Sequence, residues 1–174
     1  MKKNILLLVL LLVPASIYSQ SQIEGSFTLP ETEKYLALDW DFSETIFDRK
    51  HNEKEWAALN GEKEWAAAKS EALGLVLQEM NGKMQKSRIT VIKTESGLPY
   101  SYILYICPVK YNKKGDNVSF YILKEKATGK EIARCKIKGD GGHYGTLANL
   151  LGDGFEEAAR DMGGYLKIKN KKKK

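Results

Sequence analysis

KIKGDGGHYGTLANLLGDGFEEAARDMGGYL, residues 136–166, runs from a basic segment through a glycine-rich loop into a periodic apolar stretch. The apolar residues of its second half recur at steps of three and four, which places them on one stripe of a helix. They are Leu147, Leu151, Phe155, Ala159, Met162 and Leu166. A helix of this kind must cover another apolar surface. We therefore expect the rest of the chain to supply a sheet beneath it.

The middle of the chain contains five segments that have the pattern of strands. Residues 34–42 alternate apolar and polar side chains, as is typical of a half-buried strand. Residues 100–109 are apolar on both sides, which indicates a strand in the centre of a sheet. Turn residues separate the remaining candidates, which are residues 88–94, 118–124 and 132–138.

A hexapeptide repeat, EKEWAA at residues 53–58 and again at 62–67, lies between the first two strand candidates. In one continuous helix the two tryptophans would lie about 180° apart. Because Asn60-Gly61 is a natural helix stop, we predict a short helix, a break and a long helix over about residues 62–84. The apolar stripe of the long helix is more typical of a core than of a ligand site. It consists of Trp65, Ala72, Leu73, Val76, Leu77, Met80 and Met84.

This order of elements predicts an α+β fold, a two-layer sandwich with a mostly antiparallel sheet of about five strands and two main helices on one face. We assign residues 34–166 to this single domain and residues 20–33 to an irregular arm that precedes it. Cys107 and Cys135 would lie on strands separated by a third strand, too far apart for a disulfide. Unless those two strands pair directly, we expect buried free thiols.

The N-terminus predicts export. Lys2 and Lys3 precede an unbroken apolar run over residues 5–13, and small or polar residues follow, as in a signal peptide over residues 1–19. The run is shorter than the roughly 20 residues that a membrane-spanning helix needs. We therefore expect a mature chain without a transmembrane segment, in the periplasm or outside the cell.

The formal net charge of +6 comes from the ends of the chain. When Lys2, Lys3 and the six lysines of residues 167–174 are left out, 20 of the 28 basic residues remain, compared with 22 acidic residues. A basic tail over residues 167–174 can contact a polyanion weakly, or it is only a solvated end. No specific nucleic-acid binding is expected. The tail's contact would run through Lys171, Lys172, Lys173 and Lys174.

The loop Gly139–Thr146 is the best candidate for a ligand site. Thr146 is a plausible N-cap of the last helix, and free backbone amides before a helix can bind an anion. The binding candidates here are Asp140, His143, Tyr144 and Thr146. The sequence is not a phosphate-binding P-loop, because no Gly-Lys-Ser/Thr follows. The alternative is that the glycines permit a tight reversal and close packing.

Catalytic and metal motifs are missing from the sequence. The chain has two histidines, His51 and His143, and neither an HExxH motif nor a pair of CxxC motifs. We therefore predict no catalytic residue, metal ligand or cofactor. The alternative is a small hydrolase or anion-binding protein in which His143 and Asp140 converge beside the glycine-rich loop.

The sheet face turned away from the helices is a second binding candidate. An open face with aromatic and charged residues suits recognition of a peptide, glycan or partner subunit, although it is also the composition of an ordinary solvated face. We expect this face to carry Tyr35, Asp39, Tyr102 or Tyr105, Tyr121 and Leu123 beside Arg134 and Lys136. Of these residues, Tyr102 and Tyr121 are the predicted ligand contacts.

Several segments together resemble a family of small exported proteins of unknown function from Bacteroidetes-type bacteria. These are the signal peptide, YLALDWDF at residues 35–42, the Trp–Ala helix and KGDGGHYGTLANLLGDGFEEAARDMG at residues 138–163. The order of strands and helices also resembles the anticodon-binding-domain-like fold of several bacterial envelope proteins. Neither resemblance identifies catalytic residues in this chain. We therefore expect an exported, non-enzymatic envelope or secreted module that binds a partner protein or surface polymer.

Overall fold

The structure, a computed structural model, describes residues 23–168. The strands of the main sheet have the following bounds: β1 Ile23–Gly25, β3 Tyr35–Trp40, β4 Ile46–Phe47, β5 Thr90–Lys93, β6 Tyr102–Tyr111, β7 Asn117–Glu125 and β8 Glu131–Gly139. The helices are α1 Glu53–Asn60, α2 Glu62–Met84 and α3 Leu147–Tyr165. A separate small sheet joins β2 Thr28–Leu29 to β9 Lys167–Ile168.

The main sheet has the strand order β1-β8-β7-β6-β3-β5, and β4 pairs with β6 beyond the end of β3. Strands β6, β7 and β8 form an antiparallel meander, and β1 lies antiparallel to β8. Strand β3 is parallel to both of its neighbours, β5 and β6. The sheet is therefore antiparallel over most of its width, with a parallel group at one edge.

Helices α2 and α3 pack against each other over one face of the sheet. Val76 on α2 and Phe155 on α3 are fully buried, together with Leu104, Ile106 and Leu123 from the sheet. The predicted α+β layering is confirmed at this level. In detail the described residues hold three helices and a seven-stranded sheet, rather than two main helices and about five strands.

The EKEWAA repeat places both of its tryptophans in one aromatic cluster. Gly61, with φ of 88°, separates α1 from α2, so the two copies belong to different helices. Phe47 lies between them, 5.3 Å from the Trp56 ring and 5.5 Å from the Trp65 ring. The Trp65 Nε1–H donates to Glu53 of α1, which ties the two helices together. The predicted break at Asn60-Gly61 is confirmed.

The description of residues 20–33 as irregular is wrong for its described part. Strand β1 adds an edge to the main sheet, and Phe27 and Leu29 are buried in the core. Lys167 and Ile168, assigned to the basic tail, pair as β9 with β2. The predicted signal peptide and the lysines of residues 171–174 lie outside the described residues. None of the described helices is long and apolar enough to cross a membrane.

Candidate functional site

The glycine-rich loop leads into α3 through a capping box. The Thr146 Oγ1 accepts the backbone N–H of Asn149, and the Asn149 Oδ1 accepts the backbone N–H of Thr146. Two of the first N–H groups near the start of the helix are thereby satisfied. The prediction that Thr146 is the N-cap is confirmed, and its hydroxyl is engaged within the chain.

The glycines of this loop lie where backbones approach each other closely. A Cβ at Gly139 would lie 1.7 Å from the carbonyl oxygen of Gly154 on α3. A Cβ at Gly141 would lie 1.9 Å from the carbonyl oxygen of Lys114 in the β6–β7 turn. Both distances are far below van der Waals contact, so any larger residue would push α3 or the turn away. Close packing therefore accounts for these two glycines.

His143 and Asp140 make no hydrogen bond or ion pair with each other within residues 23–168. His143 is exposed and makes no hydrogen bond or ion pair within residues 23–168. Asp140 lines a cleft that His143 does not line, and its backbone N–H donates to Glu157. Tyr144 is 92% exposed. The convergence that the hydrolase alternative requires is not seen in this part of the chain.

Within residues 23–168, no three histidine, cysteine, aspartate or glutamate side chains cluster closely enough to hold a metal ion.

The sheet face turned away from the helices, here called the open face, carries large half-exposed side chains. Cys107 lies opposite Phe120, and Tyr105 lies opposite Ile122, in the register of β6 and β7. The described residues place no helix over this face. Its apolar and charged residues are Glu24, Asp39, Ile103, Tyr105, Cys107, Val118, Phe120, Ile122, Lys124, Glu131, Arg134, Lys136 and Lys138.

Tyr121 and Leu123, which the sequence predicts on the open face, lie instead on the helix face, where both are fully buried. The prediction is wrong for these two residues. Tyr121 pairs with Ile106 on β6 and Cys135 on β8, which belong to the core. Because alternate residues of a strand point to opposite sides, these partners fix Tyr121 on the inner side. Tyr102 also packs partly buried against the core, and Tyr105 takes the open position. An external ligand therefore has no access to Tyr121.

Cations lie over the aromatic rings of the open face. The guanidinium carbon of Arg134 is 5.5 Å, and the Nζ of Lys136 is 5.8 Å, from the centre of the Phe120 ring. The Nζ of Lys124 is 5.2 Å from the centre of the Tyr105 ring. The Arg134 guanidinium also donates two hydrogen bonds to the two Glu131 carboxylate oxygens, at 2.6 and 2.8 Å. Cation–π attraction and this ion pair position the charges above the rings.

The two cysteines lie on opposite faces of the sheet and are free. Cys107 is half-buried on the open face, and burial raises the pKa of its thiol to about 11. Cys135 is buried on the helix face, and burial raises the pKa of its thiol to about 12. At neutral pH both are almost entirely protonated, so neither has the low pKa of a reactive nucleophile.

No protein-family model matches the chain, and no curated protein matches it. Among solved structures, the PelC dodecamer from Paraburkholderia phytofirmans is similar over 87% of this chain and 99% of that chain, with 9% identity and a TM-score of 0.47. An uncharacterised protein is similar over 81% of this chain and 93% of its own, with 9% identity and a TM-score of 0.37. Similarity at this level of identity and TM-score does not indicate what this chain does.

Proposed function

We propose that this chain is an exported, non-enzymatic module of the cell envelope and that its open face binds an acidic surface polymer. The observation that carries the proposal is the placement of cations over half-exposed rings, with Arg134 and Lys136 at Phe120 and Lys124 at Tyr105. Rings give flat apolar contact to a polymer chain, and the adjacent cations attract its charges. Export rests on the sequence of residues 1–19.

The spacing of the cations favours a ligand with repeating charge. Arg134, Lys136 and Lys138 are alternate residues of β8, so neighbours in this row are about 6.6 Å apart along the strand. A linear acidic polymer that lies along β8 would meet Lys136 and Lys138 directly, and Arg134 beside its partner Glu131. Several weak charge contacts of this kind add up to a stable attachment that weakens with salt.

The composition of the open face favours a polymer over a partner protein. Lysine is depleted in protein–protein interfaces relative to the rest of the surface, and charged residues avoid the interface core. Here Lys124, Lys136 and Lys138 surround the central residues Phe120 and Ile122. A protein that docked on this face would have to bury or displace these cations.

Retention of the mature chain on immobilised polygalacturonate, with neutral dextran as the reference, tests the proposal. We expect salt-sensitive retention on the acidic polymer only. Lys136→Gln should elute at lower salt, because one charge contact is lost. Phe120→Ala should also elute earlier although its charge is unchanged, because the ring that holds Arg134 and Lys136 is removed.

Lys63→Gln is the matched control, since Lys63 is an exposed lysine of α2 on the other side of the molecule. It removes the same charge and should elute close to the wild type. Equal elution of Phe120→Ala, Lys136→Gln and the wild type would contradict a role for the open face. Absence of retention on any acidic polymer would favour a partner protein instead.

A further inference from the structure

A cleft of about 820 Å³ lies beyond the end of the open face, where three separate segments of the chain meet. One wall is the segment between β4 and α1, with Asp48 and Arg49. The second is the β6–β7 turn, with Lys113 and Lys114, and the third is the end of β8 at Lys138. We call this feature the cationic cleft.

Basic residues outnumber acidic ones in the cationic cleft. Its cations are Arg49, Lys110, Lys113, Lys114 and Lys138, and none of them forms an ion pair with a carboxylate of residues 23–168. All five are exposed and therefore accessible to a ligand. The acidic residues of the lining are Asp48, Asp116 and Asp140.

Two of these three carboxylates already accept hydrogen bonds from the chain itself. The Asp48 Oδ1 accepts the backbone N–H of Lys113 at 3.0 Å. Asp116 accepts the side-chain amide of Asn112 and the backbone N–H of Gly141, both at 2.9 Å, and these bonds lower the pKa of its carboxyl. These bonds hold the walls together. The Asp116 carboxylate keeps its charge and also interacts electrostatically with Lys114 and His143, so the lining carries an excess of two positive charges, five cations against three carboxylates.

One wall of the cleft, the segment with Asp48 and Arg49, has an unusual backbone conformation. Asp48 and Arg49 have φ of 47° and 68°, a left-handed region that side-chain-bearing residues rarely occupy. The Asp48 N–H donates to the Tyr111 carbonyl at 2.8 Å, and the His51 carbonyl accepts the Phe47 N–H at 2.8 Å. Such strained residues persist only where the surroundings hold them, and they concentrate at functional sites.

We infer that the cationic cleft binds a phosphate-bearing ligand. Lysine binds phosphate as a point charge, and four of the five cations are lysines that approach from different segments. A single carboxylate is recognised best by one arginine fork, whereas a charged group with several oxygens can engage cations on all three walls. This site is distinct from the ring-and-cation surface of the open face, although Val118 and Lys138 border both.

Calorimetric titration of the mature chain with tripolyphosphate, at constant ionic strength, tests this inference. The double variant Arg49→Gln/Lys113→Gln removes two cations of the cleft that lie outside the open face. We expect its Kd to rise about a hundredfold, at about tenfold for each lost charge-assisted contact. The control Lys54→Gln/Lys63→Gln, on exposed positions of α1 and α2, has the same net charge and should bind as the wild type does.

Thermal melting of both double variants checks that they are folded. Equal weakening of the cleft and control variants would show diffuse charge attraction and overturn the inference, as would no binding by the wild type. Glucose 6-phosphate, compared with inorganic phosphate, identifies the source of the ligand. Tighter binding of the sugar phosphate indicates a phosphorylated glycan, and equal binding indicates that the phosphate alone is recognised.

The open-face variant Lys124→Gln/Lys136→Gln separates this inference from the proposed function. It should bind tripolyphosphate like the wild type while it loses retention on the acidic polymer. Loss of tripolyphosphate binding in this variant, with the cleft variant unaffected, would place the anion site on the open face and contradict a separate cleft site.

Discussion

At the scale of single residues, glycine at four positions allows the β6–β7 turn, the end of β8 and α3 to touch. Gly154 of α3 approaches the turn so closely that a Cβ would lie 2.1 Å from the Gly115 carbonyl oxygen. A Cβ at Gly115, whose φ is 91°, would lie 1.8 Å from the Leu150 carbonyl oxygen. The atoms opposed here are backbone, which yields less readily than a side chain.

Gly154→Ala is expected to destabilise the protein by about 1–3 kcal/mol, the usual effect of overpacking a tight contact. The measurement is urea unfolding followed by circular dichroism. Gly74→Ala is the control, because Gly74 lies within α2 and a Cβ there meets nothing within 4 Å. It should stabilise by about 0.5–1 kcal/mol through helix propensity alone. A destabilised Gly74→Ala, or an unaffected Gly154→Ala, would contradict this explanation.

The sequence does not determine which side of a strand is buried where both sides are equally apolar. Strand β7 carries Phe120 and Ile122 on one side and Tyr121 and Leu123 on the other, so its hydrophobic pattern does not choose a face. The helix face also holds Asn117, which is buried although asparagine side chains are mostly exposed in proteins. Its Oδ1 accepts the Ser119 hydroxyl at 2.9 Å, so this buried polar pair is satisfied internally.

At the scale of elements, α2 covers the free edge of β5. The Asn81 side chain donates to the Val91 carbonyl at 2.9 Å and accepts the Val91 N–H at 2.7 Å, as a neighbouring strand would. An uncovered strand edge is a template for pairing with another chain. One side chain of α2 therefore protects this end of the sheet.

Asn81→Ala should destabilise the fold by about 2 kcal/mol, because two backbone groups of β5 lose their partner. It should also raise the tendency to associate, since the edge is exposed. Chemical unfolding measures the first effect, and light scattering measures the second. Gln78→Ala, at an exposed position one turn earlier on α2, should change neither quantity. A monomeric Asn81→Ala of wild-type stability would show that β5 needs no cover.

Long periodic elements could be predicted from the sequence, and short ones could not. The break at Gly61 and the cap at Thr146 are local signals that tertiary packing did not override. Strands β1, β2 and β9 have only two or three residues, too few to show a period of two. They exist because remote partners pair with them, for example β8 with β1.

At the scale of the whole molecule, basic residues are concentrated at the cationic cleft. Helices α2 and α3 carry more acidic than basic residues, whereas five basic residues and three acidic ones line the cleft. The cleft could not be predicted from the sequence, because Arg49, Lys113 and Lys138 are far apart along the chain. The fold brings them together where the β6–β7 turn meets the end of β8.

Deletion of residues 169–174 separates the basic tail from the folded domain, because it leaves the β2–β9 pairing in place. We expect the melting temperature to remain unchanged and retention on vesicles rich in anionic lipid to be lost. Each lysine near such a surface contributes about 1 kcal/mol. Replacing Lys171, Lys172, Lys173 and Lys174 by glutamine is the control for length and should have the same effect. Unchanged retention after both changes would exclude the tail as the attachment point.

Alkylation of the two thiols tests the role of the open face most directly, since Cys107 lies opposite Phe120 on that face and Cys135 lies in the core. Because the pKa of Cys107 is raised to about 11, its labelling rate should rise about tenfold per pH unit from pH 7 to 9. Cys135 should react only after unfolding. If the open face binds the polymer, a polymer concentration that saturates the wild type should slow the labelling of its Cys107 and have less effect in Phe120→Ala. An unchanged Cys107 rate with polymer bound, or equal reactivity of Cys135 in the folded protein, would contradict this account.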